Sequence, residues 1–479
     1  MVLFLILQIT INNMRIMKRI DIKSALTIVL SLLLTVPSVA QTQNSSYFLD
    51  GSFDRHKFNP ALAPERGYLS LPVIGGTTFS LNGNIGLSNF LYESKSSPGM
   101  LTTFMSSEVD RNRFMNALPD NSKFGISFDM EILSLGFRAF GGYATMGFTL
   151  RNREQVSIPK QMFGFMKAGL SNGNYLIENM NINSVTYMES MIGYSREIID
   201  NLKVGVNLKF LSGVAYADAN IDRMKANISG NEWIVNANAT MQLAAPGVIV
   251  TKAEDGTIDG FEEEIVFEGL PSSGFAMDLG AYYDFSNLVE GLSLSASVTD
   301  IGAIKWKDIV IGKTKNEDIV FDGFDNYDVM GDDAAEEEME QLGEDFQDLL
   351  KIYQMPSETK NVNLGATFRL GVEYSLPFVD WISVGELFTC RTGTYKYTES
   401  RTAIVLSPLR WFELSGNVAF TSNYGTMLGF MLNIHPAGFN FFIASDGIKA
   451  NLNPQFIPVD EFGANLMFGI KMPIGARLD

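Results

Sequence analysis

The order of long and short connections constrains this chain more than any other feature. From about Phe124 to the C-terminus, strand-like segments of roughly ten residues follow one another, and their connections alternate between tight turns and long polar loops. Bacterial outer-membrane barrels have this layout, with short turns on the periplasmic side and long loops outside. The sequence therefore predicts an all-β fold, a transmembrane antiparallel β-barrel.

Alternating polarity supports the strand assignment. Between Val362 and Glu373 every second residue is apolar, and the residues between them are Asn, Gly, Thr, Arg and Glu. A period of two with one apolar face is typical of a half-buried strand. A soluble two-layer β protein of the periplasm would show the same period, so it stays open as a third interpretation.

Strand lengths and connections favour the barrel. A tilted transmembrane strand needs about 9–11 residues. Fourteen strands are predicted near 77–91, 124–137, 142–151, 184–196, 202–216, 273–284, 292–304, 361–374, 381–390, 400–407, 411–422, 425–434, 438–445 and 463–473. The even count puts both termini on the periplasmic side. Segment 231–243 also alternates, and it is predicted to belong to a hairpin above the barrel.

The N-terminus has the pattern of a signal peptide. After Met17 come three basic residues, an apolar stretch over 25–36 and the small-residue sequence Ser38-Val39-Ala40. Residues 1–40 are therefore predicted to be a signal peptide that starts at Met17, and a membrane anchor is the alternative interpretation. No Cys follows the cleavage site, which argues against a lipoprotein.

Composition and charge exclude several classes of protein. The chain has 46% hydrophobic residues and a mean hydropathy of +0.08, which is lower than helical membrane proteins have. Its 36 basic and 54 acidic residues give a net charge of −18, which disfavours nucleic acid as a partner. Cys390 is the one cysteine, so an internal disulfide is excluded.

No pattern of residues indicates an enzyme. The two histidines, His56 and His435, are far apart in sequence, and neither has metal-ligand spacing to a second His or to Cys390. None of the glycines opens a helix in the arrangement of a phosphate loop. We therefore predict no enzymatic activity, no cofactor and no metal.

Two sequence elements carry a resemblance to known families. Residues 52–62 contain Asn59-Pro60-Ala61 ahead of the first strand, and 203–213 read Lys-Val-Gly-Val-Asn-Leu-Lys-Phe-Leu-Ser-Gly. These resemble the FadL-type outer-membrane channels and the related PorV and PorP families of type IX secretion. The closest resemblance is to an uncharacterised envelope barrel family, through 299–306 and 435–442. The resemblance implies that residues 41–76 form a hatch in the lumen and that 77–479 form the barrel.

Three groups of residues are the candidate functional positions. Asn59, Pro60 and Ala61 form the hatch element; Asn207, Lys209, Arg369 and Glu373 are predicted to face the lumen; and Phe163, Phe165 and Met166 are apolar residues of an outer loop. The loop residues belong to a predicted helix over 160–170, and a second is predicted over 109–118. In FadL-type channels such helices collect hydrophobic ligands, whereas the alternative is that they pack on each other and on the rim.

The long outer loop 305–360 is strongly acidic. Between Glu317 and Asp348 it has fourteen acidic residues and no Lys or Arg, and 334–352 fits an amphipathic helix. A solvated cap on the barrel mouth, a divalent-cation site and a docking site for a basic partner are all compatible with this pattern.

These features lead to two functional hypotheses. The first is an outer-membrane barrel for passive uptake or capture of small hydrophobic molecules, in the manner of the FadL-type channels, with outer-membrane lipid as its surroundings. The second is a non-transporting envelope partner in type IX-like secretion or surface assembly, as in the PorV and PorP families.

Overall fold

The computed structural model describes residues 20–21, 44–97, 99–168, 172–229, 232–263, 272–321, 350–448 and 462–475. Two α-helices, α1 (Arg111–Ala117) and α2 (Lys160–Ala168), and three short 3₁₀ turns (Asn44–Ser46, Arg55–Lys57 and Leu87–Asn89) accompany the strands. None of the helices in these ranges is long and apolar enough to cross a membrane.

Strands make up most of the described chain. They are β1 (Ile20–Asp21), β2 (Gly67–Ser70), β3 (Thr77–Gly83), β4 (Leu91–Glu93), β5 (Leu101–Thr103), β6 (Asn121–Ala139), β7 (Gly142–Pro159), β8 (Gly173–Ile199), β9 (Leu202–Ser229), β10 (Glu232–Ala244), β11 (Val248–Lys252), β12 (Ile258–Glu263), β13 (Ser272–Asp284), β14 (Leu292–Lys313), β15 (Ile319–Phe321), β16 (Tyr353–Asn363), β17 (Thr367–Ser375), β18 (Ile382–Arg391), β19 (Tyr397–Leu409), β20 (Phe412–Thr421), β21 (Gly425–Ile434), β22 (Asn440–Ile448) and β23 (Phe462–Ile474).

Fourteen of these strands close into one antiparallel barrel. The order around it is β3–β6–β7–β8–β9–β13–β14–β17–β18–β19–β20–β21–β22–β23, and β23 pairs with β3 to close the ring. β2 pairs with β6 on one edge and with β23 on the other, and these are also the two neighbours of β3. β2 and β3 therefore occupy one place in the ring, and residues 71–76 separate them. The predicted fourteen-strand barrel is confirmed.

Most predicted strands extend further in the structure, as β7, β8, β9 and β14 do, and two differ in other ways. The first was expected over 77–91, but β3 ends at Gly83 and a 3₁₀ turn follows at Leu87–Asn89. The segment 361–374 is divided into β16 and β17, because Gly365 adopts a positive φ of 83° between them. Gly tolerates that backbone conformation at little cost.

Side-chain exposure alternates along the barrel strands, as expected for a membrane barrel. On β18, Val384 and Phe388 are 38% and 47% exposed, whereas Leu387 and Thr389 are fully buried. Successive strand side chains point to opposite faces, so the exposed apolar residues form an outward belt and the buried ones face the lumen. Belt residues recur on the other barrel strands, for example Leu370 and Ile404.

Only some of the aromatic residues near strand ends lie on the outer face, at the edge of the belt. Trp381, Trp411 and Phe439 lie exposed beside the short turns, as an interfacial girdle requires. Trp306 and Phe442 do not belong to such a girdle, since each is 1% exposed. Trp306 is not a strand end, because β14 continues to Lys313, and its ring stacks on Tyr216.

The barrel is tall on one side. β8 and β9 have 27 and 28 residues, whereas β17 and β18 have 9 and 10. Since about 9–11 residues cross a membrane, the long strands extend well beyond the belt on the loop side. β10 pairs with the upper half of β9, as the predicted hairpin requires, and its other edge pairs with β14 and β15. The hairpin is therefore part of the tall wall rather than separate from it.

The acidic outer loop is narrower than predicted. β14 runs to Lys313 and β16 begins at Tyr353, so both ends of the predicted loop 305–360 are strands of the tall wall. Of the helix predicted over 334–352, residues 334–349 lie outside the described residues. The predicted signal peptide also lies outside them, apart from β1.

Candidate functional site in the filled lumen

The N-terminal part of the described chain lies inside the barrel. Residues Asn44–Leu62, here called the plug segment, pack against inward-facing side chains of the wall. Asn44 donates to Glu399 near the loop end of β19, at 2.8 Å, and Gly51 N donates to Glu413 near the turn end of β20, at 2.9 Å. The plug segment therefore spans most of the height of the lumen. Its role as a hatch stays a prediction.

Asn59, Pro60 and Ala61 lie in the lumen against two neighbouring strands. The Asn59 amide donates to the carbonyl oxygens of Ala281 and Ala296, at 3.1 and 3.3 Å. Its own oxygen accepts from Ala61 N at 3.0 Å, which turns the chain at Pro60. Asn59 and Ala61 are completely buried. This element is therefore held by backbone groups of the wall and by its own local turn.

Glycines in the wall make room for the plug segment. A Cβ at Gly205 would overlap the backbone of Pro60, and one at Gly280 would overlap the Asn59 side chain. A Cβ at Gly371 would lie 2.9 Å from the Tyr47 ring, and one at Gly385 would lie 2.6 Å from the Phe48 ring. The plug segment thus fits against the wall because these wall positions are glycines, which have no side chain.

We expect Gly280→Leu to displace the plug segment and raise the ion conductance of the purified barrel in planar bilayers. The leucine side chain occupies the volume of the Asn59 amide, so both cannot remain in place. Gly416→Leu is the matched control, because a Cβ at Gly416 meets open space on the outer face. Equal conductance of wild type and Gly280→Leu would contradict a snug plug.

Buried charged residues of the plug segment form ion pairs with charged residues of the wall, toward the end of the barrel that has the short turns. Lys471 Nζ is 2.7 Å from Asp54 and 3.3 Å from Glu131. Lys57 Nζ lies 2.5 Å from the same two carboxylates. Lys471, Asp54 and Glu131 are at most 1% exposed, so their charges are neutralised by one another and by Lys57 rather than by water.

A second charge cluster lies in the wall around Lys209. Its ammonium is 2.8 Å from Asp278, 2.7 Å from Asp300 and 3.7 Å from Glu189. Arg151 binds Glu189 at 3.0 Å. These groups connect strands β7, β8, β9, β13 and β14 across the lumen surface. Asn207, next to them, donates to Asp278 at 3.0 Å and to the plug segment at His56 O, at 3.4 Å.

A third cluster surrounds the start of the plug segment. Arg401 binds Glu399 at 2.9 Å and donates to Asp446 O at 3.0 Å, and it also contacts Asn417. Ser45 N donates to Asp446 at 2.8 Å, and Asn417 donates to Ser45 Oγ at 2.7 Å. The plug segment is thus part of a hydrogen-bonded network that is closed to solvent.

All four predicted lumen residues face inward. Asn207, Lys209 and Arg369 are 1%, 2% and 5% exposed. Arg369 donates to Thr299 at 3.0 Å and to Asn44 at 3.4 Å. Glu373 accepts from Ser383 at 3.0 Å and lies 4.0 Å from Arg55. Sequence reasoning missed the buried wall residues Glu131, Glu189, Asp278, Glu399 and Arg401, although each lies on the inward parity of its strand. It also missed Asp300, which follows the inward-facing Thr299 and is turned inward where its backbone adopts a positive φ of 61°.

The lumen also has an apolar side. Inward-facing residues of β18, β19, β21, β22 and β23 form an apolar stripe on the wall. The apolar stripe consists of Leu387, Ala403, Val405, Met431, Phe442, Ala444 and Met467. Tyr47, Phe48 and Leu49 of the plug segment cover it. A barrel interior is normally polar, so a continuous apolar surface under the plug segment is unusual.

Little free space remains in the described lumen. A small polar cavity is lined by Lys57, Glu131, Arg151, Glu189 and Lys209, among others, and its volume of about 10 Å³ is close to what one water needs. No cluster of His, Cys, Asp and Glu within the described ranges is arranged to hold a metal ion. As described, the lumen is closed.

The predicted loop residues lie in two separate apolar clusters on the outer side. Phe163 and Met166 pack with Phe114 of α1, while Phe165 packs under the tall wall with Met224. Phe163 and Phe165 are 8% and 4% exposed, so their rings are core residues of the outer region. Both helices predicted in these loops are present as α1 and α2.

Comparisons with solved structures give similar layouts at very low identity. The P. putida toluene transporter TodX is 10% identical, with a TM-score of 0.41 and coverage of 92% of this chain and 96% of that chain. A Pseudomonas aeruginosa FadL homologue is 9% identical, with a TM-score of 0.42 and coverage of 91% and 99%. The Ralstonia pickettii toluene transporter TbuX is 9% identical, with a TM-score of 0.35 and coverage of 92% and 96%.

A comparison with curated proteins gives no match. The family model described as "Family of unknown function (DUF5723)" matches residues 60–446. That match spans the end of the plug segment and nearly the whole barrel. The chain therefore belongs to this family of unknown function.

Proposed function

We propose that this protein is an outer-membrane channel for small hydrophobic molecules, closed at rest by the plug segment. The observation that carries the proposal is the apolar stripe, which lies on the lumen wall and is covered by apolar residues of the plug segment, among them Tyr47, Phe48 and Leu49. A shift of these residues exposes a path lined by aliphatic and Met side chains. Such a lining suits apolar molecules of varied shape.

The contacts of the plug segment also suit a movable closure. It is attached to the wall through side-chain hydrogen bonds and ion pairs, and none of its residues belongs to the barrel's strand ladder. These contacts can be exchanged for water without opening the barrel. Passage therefore requires no change in strand pairing.

The second hypothesis, a non-transporting envelope partner of the PorV and PorP kind, is favoured by the closed lumen. Three buried charge clusters and a tightly fitted element at Asn59–Ala61 are what a permanent plug needs as well. The two functions differ in whether apolar molecules ever contact the stripe.

Polar substitution of the stripe separates the two functions. We expect Val405→Thr with Met467→Gln to slow the entry of an apolar fluorescent dye, phenylnaphthylamine, into cells that have an intact lipopolysaccharide leaflet. Both replacements nearly preserve volume, so the wall keeps its shape while the path becomes polar. Thr145→Val, on the opposite side of the lumen, is the matched control and should leave dye entry unchanged. Equal entry in the stripe variant and wild type favours the non-transporting function.

A further inference from the structure

A carboxyl group lies on the outward face of the barrel at the depth of the apolar belt. On β18, Glu386 has the parity of Val384 and Phe388, which are 38% and 47% exposed. Its neighbours Gly385 and Leu387 face the lumen, where Gly385 contacts Phe48 and Leu387 belongs to the apolar stripe. Glu386 therefore does not belong to the lumen network.

Glu386 lies close to the middle of the belt. It is five residues beyond Trp381, which marks the turn side. At a rise of about 3.3 Å per residue and a tilt of about 40°, that separation is roughly 13 Å along the barrel axis. The apolar band of such barrels is about 25 Å tall. Lipid headgroups at either surface are thus too distant to reach this carboxyl.

Two hydroxyl groups of the next strand accompany Glu386. Ser400 donates to one carboxyl oxygen at 2.5 Å and Thr402 to the other at 2.6 Å. Both residues share the outward parity of Ile404, which is 52% exposed. On β20, Gly416 also faces outward, and a Cβ there would meet nothing within 4 Å. We call Glu386, Ser400, Thr402 and Gly416 the outer polar patch.

Lipid alone does not suit this patch. A carboxyl in hydrocarbon is costly, and membrane proteins that keep one usually pair it with another group. The outward faces of β17 to β21 hold no Lys, Arg, His, Asp or second Glu among their described residues. A second copy packed on the same face would therefore bring carboxyl against carboxyl.

From these observations we infer that the outer polar patch is the docking site of a different integral membrane protein, which presents a Lys or Arg side chain at mid-depth. The basic group pairs with Glu386, and the open surface over Gly416 lets the partner approach the wall closely. The two hydroxyls orient the carboxyl toward the partner. This inference is independent of whether molecules pass through the lumen.

The first test uses a defined probe in lipid vesicles. Leu/Ala-rich transmembrane peptides with either a central Lys or a central Leu carry a donor dye, and the barrel carries the acceptor on Cys390, which faces outward on β18. We expect the Lys peptide to bind wild type several-fold more tightly than the Leu peptide, and Glu386→Gln to remove the difference. Equal binding of both peptides to wild type overturns the inference.

The second test asks whether Glu386 merely fastens β18 to β19. In vesicles without a partner, Glu386→Leu should leave the urea midpoint of unfolding unchanged or raise it, because a lipid-facing carboxyl is replaced by an apolar side chain. A clearly lowered midpoint assigns the residue to strand pairing and overturns the docking site. Energy transfer between donor- and acceptor-labelled barrels would also overturn it, in favour of self-association through this face.

The third test is made in the native outer membrane. A benzoylphenylalanine in place of Ile404, which faces outward near Thr402 and leaves Gly416 open, should crosslink to a membrane protein. The crosslinked residue should lie within the membrane span of that protein and beside a Lys or Arg. Glu386→Leu should abolish that product, and the same photoprobe at Phe148, on the far side of the belt, should not give it. Crosslinks to lipid only, or a product that persists in Glu386→Leu, contradict the inference.

Discussion

Replacing Lys209 by Met should destabilise the barrel by about 3–5 kcal/mol, as expected when one partner of a buried ion pair is removed. Lys209 is 2% exposed and lies within 4 Å of three carboxylates, those of Glu189, Asp278 and Asp300. Without the ammonium, Asp278 and Asp300 lose their ion-pair partner and stay buried, while Glu189 keeps only Arg151. The free energy of unfolding can be measured by urea titration in lipid vesicles, with the fraction of folded barrel read from its heat-modifiable band on gels.

Two further variants establish that charge is the cause. Lys209→Met combined with Asp300→Asn should recover part of the loss, because one of the uncompensated carboxylates is removed. Lys360→Met is the matched control, since Lys360 is 41% exposed in its side chain and lies 3.6 Å from Asp218. An exposed pair contributes about 0–1 kcal/mol, so that variant should be nearly neutral. A similar loss in both lysine variants would contradict the account.

The barrel could be predicted from the sequence because its signal is local. Period-two alternation identifies each strand, and the order of short and long connections identifies the side of each loop. The inward positions of Asn207, Lys209, Arg369 and Glu373 follow from the same alternation. For aromatic residues near strand ends, such as Trp306 and Phe442, parity rather than ring type decides which face the side chain occupies. Phe441 and Phe442 are adjacent, so only one of them can face outward.

The partners of the inward residues could not be predicted. Lys209 and Asp300 are 91 residues apart, and Lys471 and Asp54 are 417 apart. Such pairs depend on strand register, stagger and the path of the plug segment, which no local pattern records. The backbone of Asp300 adopts a positive φ of 61°, and β13 has a register shift between Met277 and Leu279. Irregularities of this kind change which side chains meet.

The outward orientation of Glu386, in the outer polar patch, could not be predicted from the sequence either. Glu386 occupies an outward position in a strand whose remaining outward residues are Ile, Val, Phe and Cys. In the sequence it resembles any acidic residue of a half-polar strand. Only the closed ring, with Leu387 and Thr389 buried inside, shows that it faces the belt.

Tethering the plug segment to the wall should abolish the entry of apolar molecules while the barrel stays folded. The Asn417 amide lies 2.7 Å from Ser45 Oγ, so these two positions are chosen for a cysteine tether, whose disulfide is verified by thiol titration before the dye assay. We expect cells that carry Ser45→Cys with Asn417→Cys, in a Cys390→Ser background, to admit phenylnaphthylamine only at the rate of cells that lack the barrel. Reduction should restore entry, because the contacts of Tyr47, Phe48 and Leu49 with the apolar stripe are then free to break.

The controls separate a locked plug from a damaged barrel. Each single cysteine variant shares the loss of the native side chain but lacks the tether, and it should admit the dye like wild type. A disulfide between Thr299→Cys and Thr367→Cys joins β14 to β17 at directly opposed positions and leaves the plug segment free. If the oxidised Ser45–Asn417 tether and its reduced form admit the dye equally, the plug segment does not gate passage. In that case the plug segment does not uncover the apolar stripe, and the closed lumen favours the non-transporting function.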